Sequence, residues 1–277
     1  MIRPYAVVGA TGGQGGAVVD ALLAQGLPVR AVVRRHSARA DRLRERGAEI
    51  VVADITDRES SAAALRDSAG AFVMTTPFED GPAAELAQGA ALVDAAIAAE
   101  VPHVVFSSVA SADRRTGIPH FETKAETEAL LRRAGLSYTI VGPTYFYDNL
   151  LGGLDDVRAG RLDLPLPLHT PLQQLSRRDL GRFVTLVLTE PAHFREMRID
   201  LASDDPSLEA MANTLGDVLG TSVQPYSSRA RDIGSEDMRA MFQFLTDVGY
   251  DADIDGLRTR YPEVEWQTFA QWSAGLA

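Results

Sequence analysis

No cysteine occurs in the 277 residues, which excludes disulfides, thiolate metal sites and a cysteine nucleophile. Lysine is nearly absent as well: Lys124 stands alone among 27 cationic residues, all the others being arginine. The N-terminal residues run directly into a strand with no long apolar segment, so the sequence predicts neither a signal peptide nor a membrane span, and a cytoplasmic protein. A basic surplus is missing too. The net charge is −11, with −3 in residues 1–150 and −8 in the remainder, which argues against nonspecific binding to a nucleic-acid backbone. The five histidines, at 36, 103, 120, 169 and 193, show no metal-ligand spacing, and no GxSxG elbow marks a hydrolase. The expected partner is therefore a small molecule.

What is present is an alternation of short β-branched runs with longer helical patterns. Tyr5 to Val8, Val29 to Val33, Ile50 to Val52, Phe72 to Met74, Val104 to Phe106 and Tyr138 to Val141 read as strands. Between them lie helices, such as Pro82 to Ala99, where Leu86, Ala90, Val93 and Ile97 predict one apolar stripe. This pattern specifies an α/β fold, a Rossmann-type doubly wound parallel sheet over residues 1–150. A smaller C-terminal α+β substrate lobe is expected over residues 151–277, with strands from 180–205 free to return to the sheet. The lobe begins at Gly152-Gly153, continues through a Leu/Pro-rich run, and has helices near 178–188, 207–219 and 236–248.

Ligands of such sheets bind at the carboxyl ends of the strands. After the first strand the chain reads Gly9-Ala10-Thr11-Gly12-Gly13-Gln14-Gly15-Gly16, with Gly9, Gly12 and Gly15 in GxxGxxG register before a helix. That context makes the glycines, with Thr11, Gly13 and Gln14, a dinucleotide turn whose helix N-terminus meets the diphosphate. The second strand ends in Arg34 and Arg35, within a run of seven arginines between residues 30 and 46. An NAD site would place an acid there; arginine can instead fork onto a 2′-phosphate, so NADP(H) is favoured, with NAD(H) left open. Arg34 is the primary candidate, with Arg35 and Ser37 assisting. Asp54 and Ile55 after the third strand are placed near the adenine, although Asp54 reads equally as a turn residue. Thr75, Thr76 and Pro77 end the fourth strand and should line the cofactor, and Ser107 and Ser108 end the fifth, where Ser108 could orient a substrate.

Lys124 follows on the next helix, in His120-Phe121-Glu122-Thr123-Lys124. A compact ammonium can bridge two ribose hydroxyls where a planar guanidinium cannot, which explains one lysine surviving among arginines. His120, four residues earlier, shares its helix face and is a candidate proton donor or a helix-start packing residue. After the sixth strand come Pro143, Tyr145, Phe146, Tyr147 and Asn149. Pro143 and Tyr145 are expected at the cofactor, and Phe146, Tyr147 and Asn149 at the substrate. Either phenol could replace His120 as donor, and at least one should pack in the lobe.

Together the GATGGQGG turn, the basic second strand end, His120-Phe121 with Lys124, the run Gly142 to Asn149, Arg178-Asp179-Leu180-Gly181 and Gly249 to Asp253 resemble the NmrA-like family of atypical short-chain dehydrogenases. The resemblance implies NADP(H) binding, Lys124 anchoring the nicotinamide ribose, and a lobe closing over the substrate. It also implies one of two roles. The first is reductase activity on a quinone, a conjugated carbonyl or another planar apolar acceptor. The second is catalytically silent cofactor sensing through a regulatory protein partner. A homodimer fits either. The chain departs from the wider superfamily in lacking the tyrosine of the YxxxK pair, with His120 standing there instead.

Overall fold

The computed structural model describes residues 3–76 and 81–277, so Pro77 lies outside the described residues. The first half alternates β1 (Tyr5–Val8), α1 (Gly13–Ala24), β2 (Val29–Val33), α2 (Ala38–Glu45), β3 (Glu49–Val52), α3 (Arg58–Leu65), β4 (Gly70–Met74), α4 (Gly81–Ala98), β5 (Val104–Ser107), α5 (Pro119–Arg133) and β6 (Tyr138–Pro143). The second half holds β7 (Tyr145–Phe146), α6 (Leu154–Arg158), β8 (Arg161–Leu164), β9 (Gln174–Leu175), α7 (Arg177–Thr189), β10 (Met197–Leu201), α8 (Leu208–Leu219), β11 (Gln224–Ser227), α9 (Glu236–Asp247), α10 (Ile254–Arg260) and α11 (Phe269–Ser273).

Among the described residues the central sheet has seven strands in the order β10-β6-β5-β4-β1-β2-β3, all pairings parallel. Strand order reverses between β1 and β4, which is where a doubly wound sheet opens a crevice for a ligand. Side-chain alternation divides the core. Val7, Ala31, Phe72, Val105 and Val141 face α1, α2 and α7, while Ala6, Val8, Val32, Ala71, Val104, Phe106 and Ile140 face α3, α4 and α5. Because both faces are covered, the inner strands β1, β4 and β5 are largely apolar on both sides, whereas the edge strands β3 and β10 keep exposed or charged residues.

The second half is not a detached lobe. β10 extends the sheet beyond β6, and α7 packs on α1 so closely that a Cβ on Gly181 would overlap the Ala17 carbonyl. What stands above the sheet is a third cluster, in which Leu162, Leu164, Met211, Leu215, Phe242, Leu245 and Phe269 surround Phe121 and Tyr147. The parallel pair β8 and β11 spans it. Among the described residues no helix is long and apolar enough to cross a membrane.

One expectation fails inside α4. Ile97 is 43% exposed, and the buried face is instead Glu85, Gln88, Gly89, Leu92, Ala95 and Ala96. Gly89 admits the Thr127 side chain of α5, and Glu85 and Gln88 are drawn inward by hydrogen bonds to the end of β4. Polar partners turned this helix by about one residue from its apolar stripe.

His103, next to β5, is buried, with its ring nitrogens 2.9 Å from both Ser137 Oγ and Thr139 Oγ1. Burial, assisted by the Arg195 charge, pushes its pKa down to about 4. Above pH 6.5 the ring is neutral whether folded or unfolded. Below that the unfolded chain binds a proton that the folded chain refuses, so this contribution to stability is lost as pH falls from about 6.5 to about 4. Between pH 7.5 and 4.5 we expect His103→Gln to remove about 2 kcal/mol of the acid destabilisation seen in the parent. Urea unfolding at the two pH values measures it, and equal losses in parent and variant would refute it.

Candidate cofactor and active site

The strand ends build a single cleft of about 1320 Å³. Its floor is the turn after β1. Gly9 adopts φ +69°, a left-handed conformation that carries little cost only for glycine, and its carbonyl lies where a Cβ on Gly15 would sit. Gly15 therefore lies under the turn, letting α1 pack against it, and is not part of the cleft wall. Thr11, Gly12, Gly13 and Gln14 face the cleft, with the start of α1 directed into it. Ser107 does not reach the cleft: it is buried and donates to Gln14 Oε1 at 2.7 Å. The hydroxyl expected at the cofactor instead holds the side chain that is there.

At one end the cleft is basic. Arg34, Arg35 and Ser37 line it with Arg39, whose guanidinium donates to the Thr11 carbonyl at 3.4 Å. Ser37 is also the N-cap of α2, accepting from Ala40 N at 3.2 Å, which leaves its O–H and one lone pair for a ligand. Asp54 and Ile55 form the opposite lip with Thr56. Asp54 is the turn residue that the sequence also allowed: its carboxylate accepts from Thr56 N and Oγ1 at 2.9 and 2.7 Å. Those bonds stabilise the charged form and lower its pKa.

At the other end Met74, Thr75, Thr76, Gln88, Lys124 and Pro143 converge. Lys124 is 7% exposed and donates to Glu85 Oε1 at 2.9 Å, Thr75 Oγ1 at 3.2 Å and the Thr75 carbonyl at 3.3 Å. Glu85 is fully buried and also accepts from Thr75 Oγ1 at 2.8 Å and from Thr123 Oγ1. The ammonium is thus held at the cleft edge by a buried carboxylate from α4. Glu85 carried no sequence signal, because a glutamate in a helix normally marks the solvent face.

Above this end rises a largely apolar wall of Val109, Tyr145, Phe146, Met238, Met241 and Tyr250, with Asn149 and His120. Ser108 joins it, its hydroxyl bonded at 2.5 Å to Glu128 Oε1, and Glu128 in turn pairs with Arg198 at 3.2 Å. Met238, Met241 and Tyr250 were missed in the sequence because they are remote in the chain and have the ordinary composition of a core. Tyr147 is a correction: it is fully buried and donates to the Gln267 carbonyl at 3.1 Å. Its ring packs on Phe269 and Trp272, with centroids 5.5 and 5.4 Å away. The one-residue step from Phe146 turns it from the cleft into the lobe core, where it anchors α11.

The two proton-donor candidates differ in protonation. His120 is 5% exposed, and its Nδ1 is hydrogen-bonded to Asp237 of α9. Burial lowers its pKa more than the Asp237 carboxylate raises it, and the Lys124 charge lowers it further. At neutral pH the ring is uncharged with its proton on the Asp237 side, so Nε2 accepts rather than donates. His120 lies where the helix spacing put it, in a state unsuited to donation. Tyr145 keeps its proton: burial, partly offset by a hydrogen bond to Asn149, pushes the phenol up to about 12. It is a permanent hydrogen-bond donor and a reluctant acid. Among the described residues no group of three or more His, Asp or Glu is arranged to hold a metal ion.

The NmrA-like family matches this chain over residues 4–273. The NAD(P)H azoreductase of Xenophilus azovorans is 30% identical over 188 residues, covering 68% of this chain and 64% of that protein. The chain spans only 46 to 64% of the length of this and three other curated relatives that it matches. In overall fold it is similar to the NADPH-dependent quinone oxidoreductase of Escherichia coli, solved with NADPH. That likeness has a TM-score of 0.81 and 23% identity, and covers 98% of this chain and 99% of the other. It is also similar to the negative transcriptional regulator NmrA in complex with NADP, with a TM-score of 0.80 and 18% identity, covering 99% and 95% of the two chains. With the turn, the sheet order and the whole-length match in agreement, the chain belongs to the NmrA-like family.

Proposed function

We propose that this protein is an NADPH-dependent reductase that passes hydride to a planar apolar acceptor, a quinone or a conjugated carbonyl compound. One observation carries the reading: a single continuous cleft joins the arginine-rich end of β2, the bare glycine turn, Lys124 and an aromatic and methionine wall. The residues fit an extended dinucleotide. The glycines of the turn expose backbone, cations stand at the end expected for the 2′-phosphate, and a compact ammonium lines the same cleft beside the apolar wall. The azoreductase relative and the quinone oxidoreductase neighbour support an oxidoreductase over a silent sensor.

When bound, NADPH would supply the hydride. Arg34, Arg35 and Arg39 would hold the 2′-phosphate, Thr11 to Gln14 would offer N–H groups to the diphosphate, and Lys124 would donate to ribose hydroxyls by giving up its long contacts to Thr75 while keeping Glu85. Tyr145, Phe146, Met238 and Met241 exclude water and press a flat acceptor toward the cofactor. The protonation states explain the acceptor class. Neither a neutral His120 bound to Asp237 nor a phenol pushed to about 12 is a strong acid. The site therefore suits acceptors that take hydride after positioning alone and collect their proton later from water or the Tyr145 hydroxyl. NADPH oxidation followed by nicotinamide absorbance against quinones, aldehydes and dyes tests this. Quinones should turn over at least about tenfold faster than simple aldehydes, since only the latter require an acid in the transition state. Tight NADPH binding with no turnover of any acceptor would overturn the reading in favour of a cofactor-sensing protein.

A further inference from the structure

α7 starts at Arg177 and runs alongside α1 in the same direction: Gly181 meets Ala17, and four residues earlier Arg177 meets Gly13. A Cβ placed on Gly13 would lie 2.5 Å from the guanidinium carbon of Arg177 and 2.7 to 2.8 Å from two of its nitrogens. The guanidinium is therefore laid across the first turn of α1, and both residues face the cleft. Glycine at position 13 leaves the space that the guanidinium fills.

Among the described residues, the partners of that guanidinium leave part of its donor edge unsatisfied. Arg177 Nε is buried without a hydrogen-bond partner. The carboxylate of Asp148 stands 3.7 Å from a terminal nitrogen, beyond a good hydrogen bond, and Asp148 Oδ2 is itself buried and unpartnered. Beneath the guanidinium lies the Phe146 ring, 5.7 Å to the centroid, which packs one face and leaves the donor edge to be satisfied elsewhere. The hydroxyl of Ser176, ahead of α7, does not cap that helix but donates to Gln267 Oε1 at 2.9 Å. Two helices therefore bring their positive ends together at the glycine turn, with a forked cation between them.

We propose that Arg177 binds the diphosphate of the dinucleotide from beside the glycine turn, where its guanidinium lies over Gly13. A diphosphate carries two negative charges, and the backbone N–H groups of α1 supply donors but no net charge; the fork supplies both. The proposal rests on the reading of the cleft as a nicotinamide-dinucleotide site. It assigns Arg177 a role distinct from that of Arg34. Arg34 would distinguish the phosphorylated from the unphosphorylated cofactor, whereas Arg177 would bind both alike. Through Phe146 it would also tie the diphosphate to the wall that receives the substrate.

Calorimetric titration of the full chain with NADPH, NADH and 2′-AMP, which has the 2′-phosphate but no diphosphate, tests the assignment. Arg177→Met keeps the stem over Phe146 and is expected to weaken NADPH and NADH by one common factor of about 10 to 100, leaving 2′-AMP within about twofold. Raising salt should narrow the difference between parent and variant. Unchanged NADPH and NADH affinity would overturn the proposal, as would an equal loss of 2′-AMP, which would mark a merely structural arginine. Should the methionine variant fail to fold, Arg177→Lys keeps the charge and loses the fork. A common loss of at least about threefold for both dinucleotides then supports the proposal, and no loss overturns it. A parent protein that binds neither dinucleotide would refute the cofactor reading itself, an outcome distinct from either.

Discussion

Replacing Lys124 by alanine should lower NADPH-dependent turnover at least about 100-fold, and should also destabilise the fold by about 3–5 kcal/mol. The two effects have different origins. The first follows from the proposed reading of the cleft, in which Lys124 would anchor the nicotinamide ribose, so that losing this positioning contact would displace the reacting carbon from its acceptor. The second follows from Glu85, which is fully buried and has Lys124 as its cationic partner at 2.9 Å. Removing the cation leaves a carboxylate that, among the described residues, keeps the Thr75 and Thr123 hydroxyls as its hydrogen-bond donors, and an unpaired buried charge costs far more than the pair contributes. The double variant Lys124→Met with Glu85→Gln separates them. It removes both charges and keeps the volume, so the thermal midpoint should return to near the parent value while turnover remains lost. Recovery of turnover along with stability would show that Lys124 is only a structural partner of Glu85, and the catalytic assignment would fall.

The same pair shows where sequence reading reaches its limit. Lys124 was legible because a lone lysine in an arginine-rich chain is conspicuous, and because periodicity placed it on the helix after β5. Its partner was not, since Glu85 sits among alanines and leucines in a pattern whose apolar stripe points elsewhere. Its inward position is held by bonds to Lys124, Thr75 and Thr123, all remote from the local pattern of α4. The six strands and the glycine turn were legible for a local reason: β-branched runs and a fixed GxxGxxG register carry their own structure. Tyr147 and Phe146 show the converse. They are adjacent, aromatic and equally suited to a substrate pocket, yet one faces the cleft and the other is buried against Phe269 and Trp272, more than 120 residues later in the chain. A choice decided by such a remote contact leaves no mark in the local pattern. Arg177 was hidden in the same way. It sits beside Arg178 in a helix that reads as part of the second half, and only the packing of α7 on α1 brings it to Gly13.

Arg34→Ala should weaken NADPH by about 10- to 100-fold and leave NADH within about twofold, which would abolish the cofactor preference of the parent. The two nucleotides differ only in the 2′-phosphate, so a residue acting on that group must affect one and spare the other. Arg34 is exposed at the end of β2 and lines the basic end of the cleft with Arg35 and Arg39. Exposure bounds the effect: in water a single guanidinium–phosphate fork contributes modestly, and the remaining arginines retain part of the attraction. Arg34→Glu should go further, because a carboxylate there repels the 2′-phosphate while accepting from a free 2′-hydroxyl, so that NADH becomes the better ligand. Titrating both variants with both nucleotides at fixed ionic strength gives four ratios to set against the parent. Equal losses of NADPH and NADH would place the 2′-phosphate elsewhere. The next assignment would then be Arg39, whose bond to the Thr11 carbonyl already ties the arginine cluster to the glycine turn.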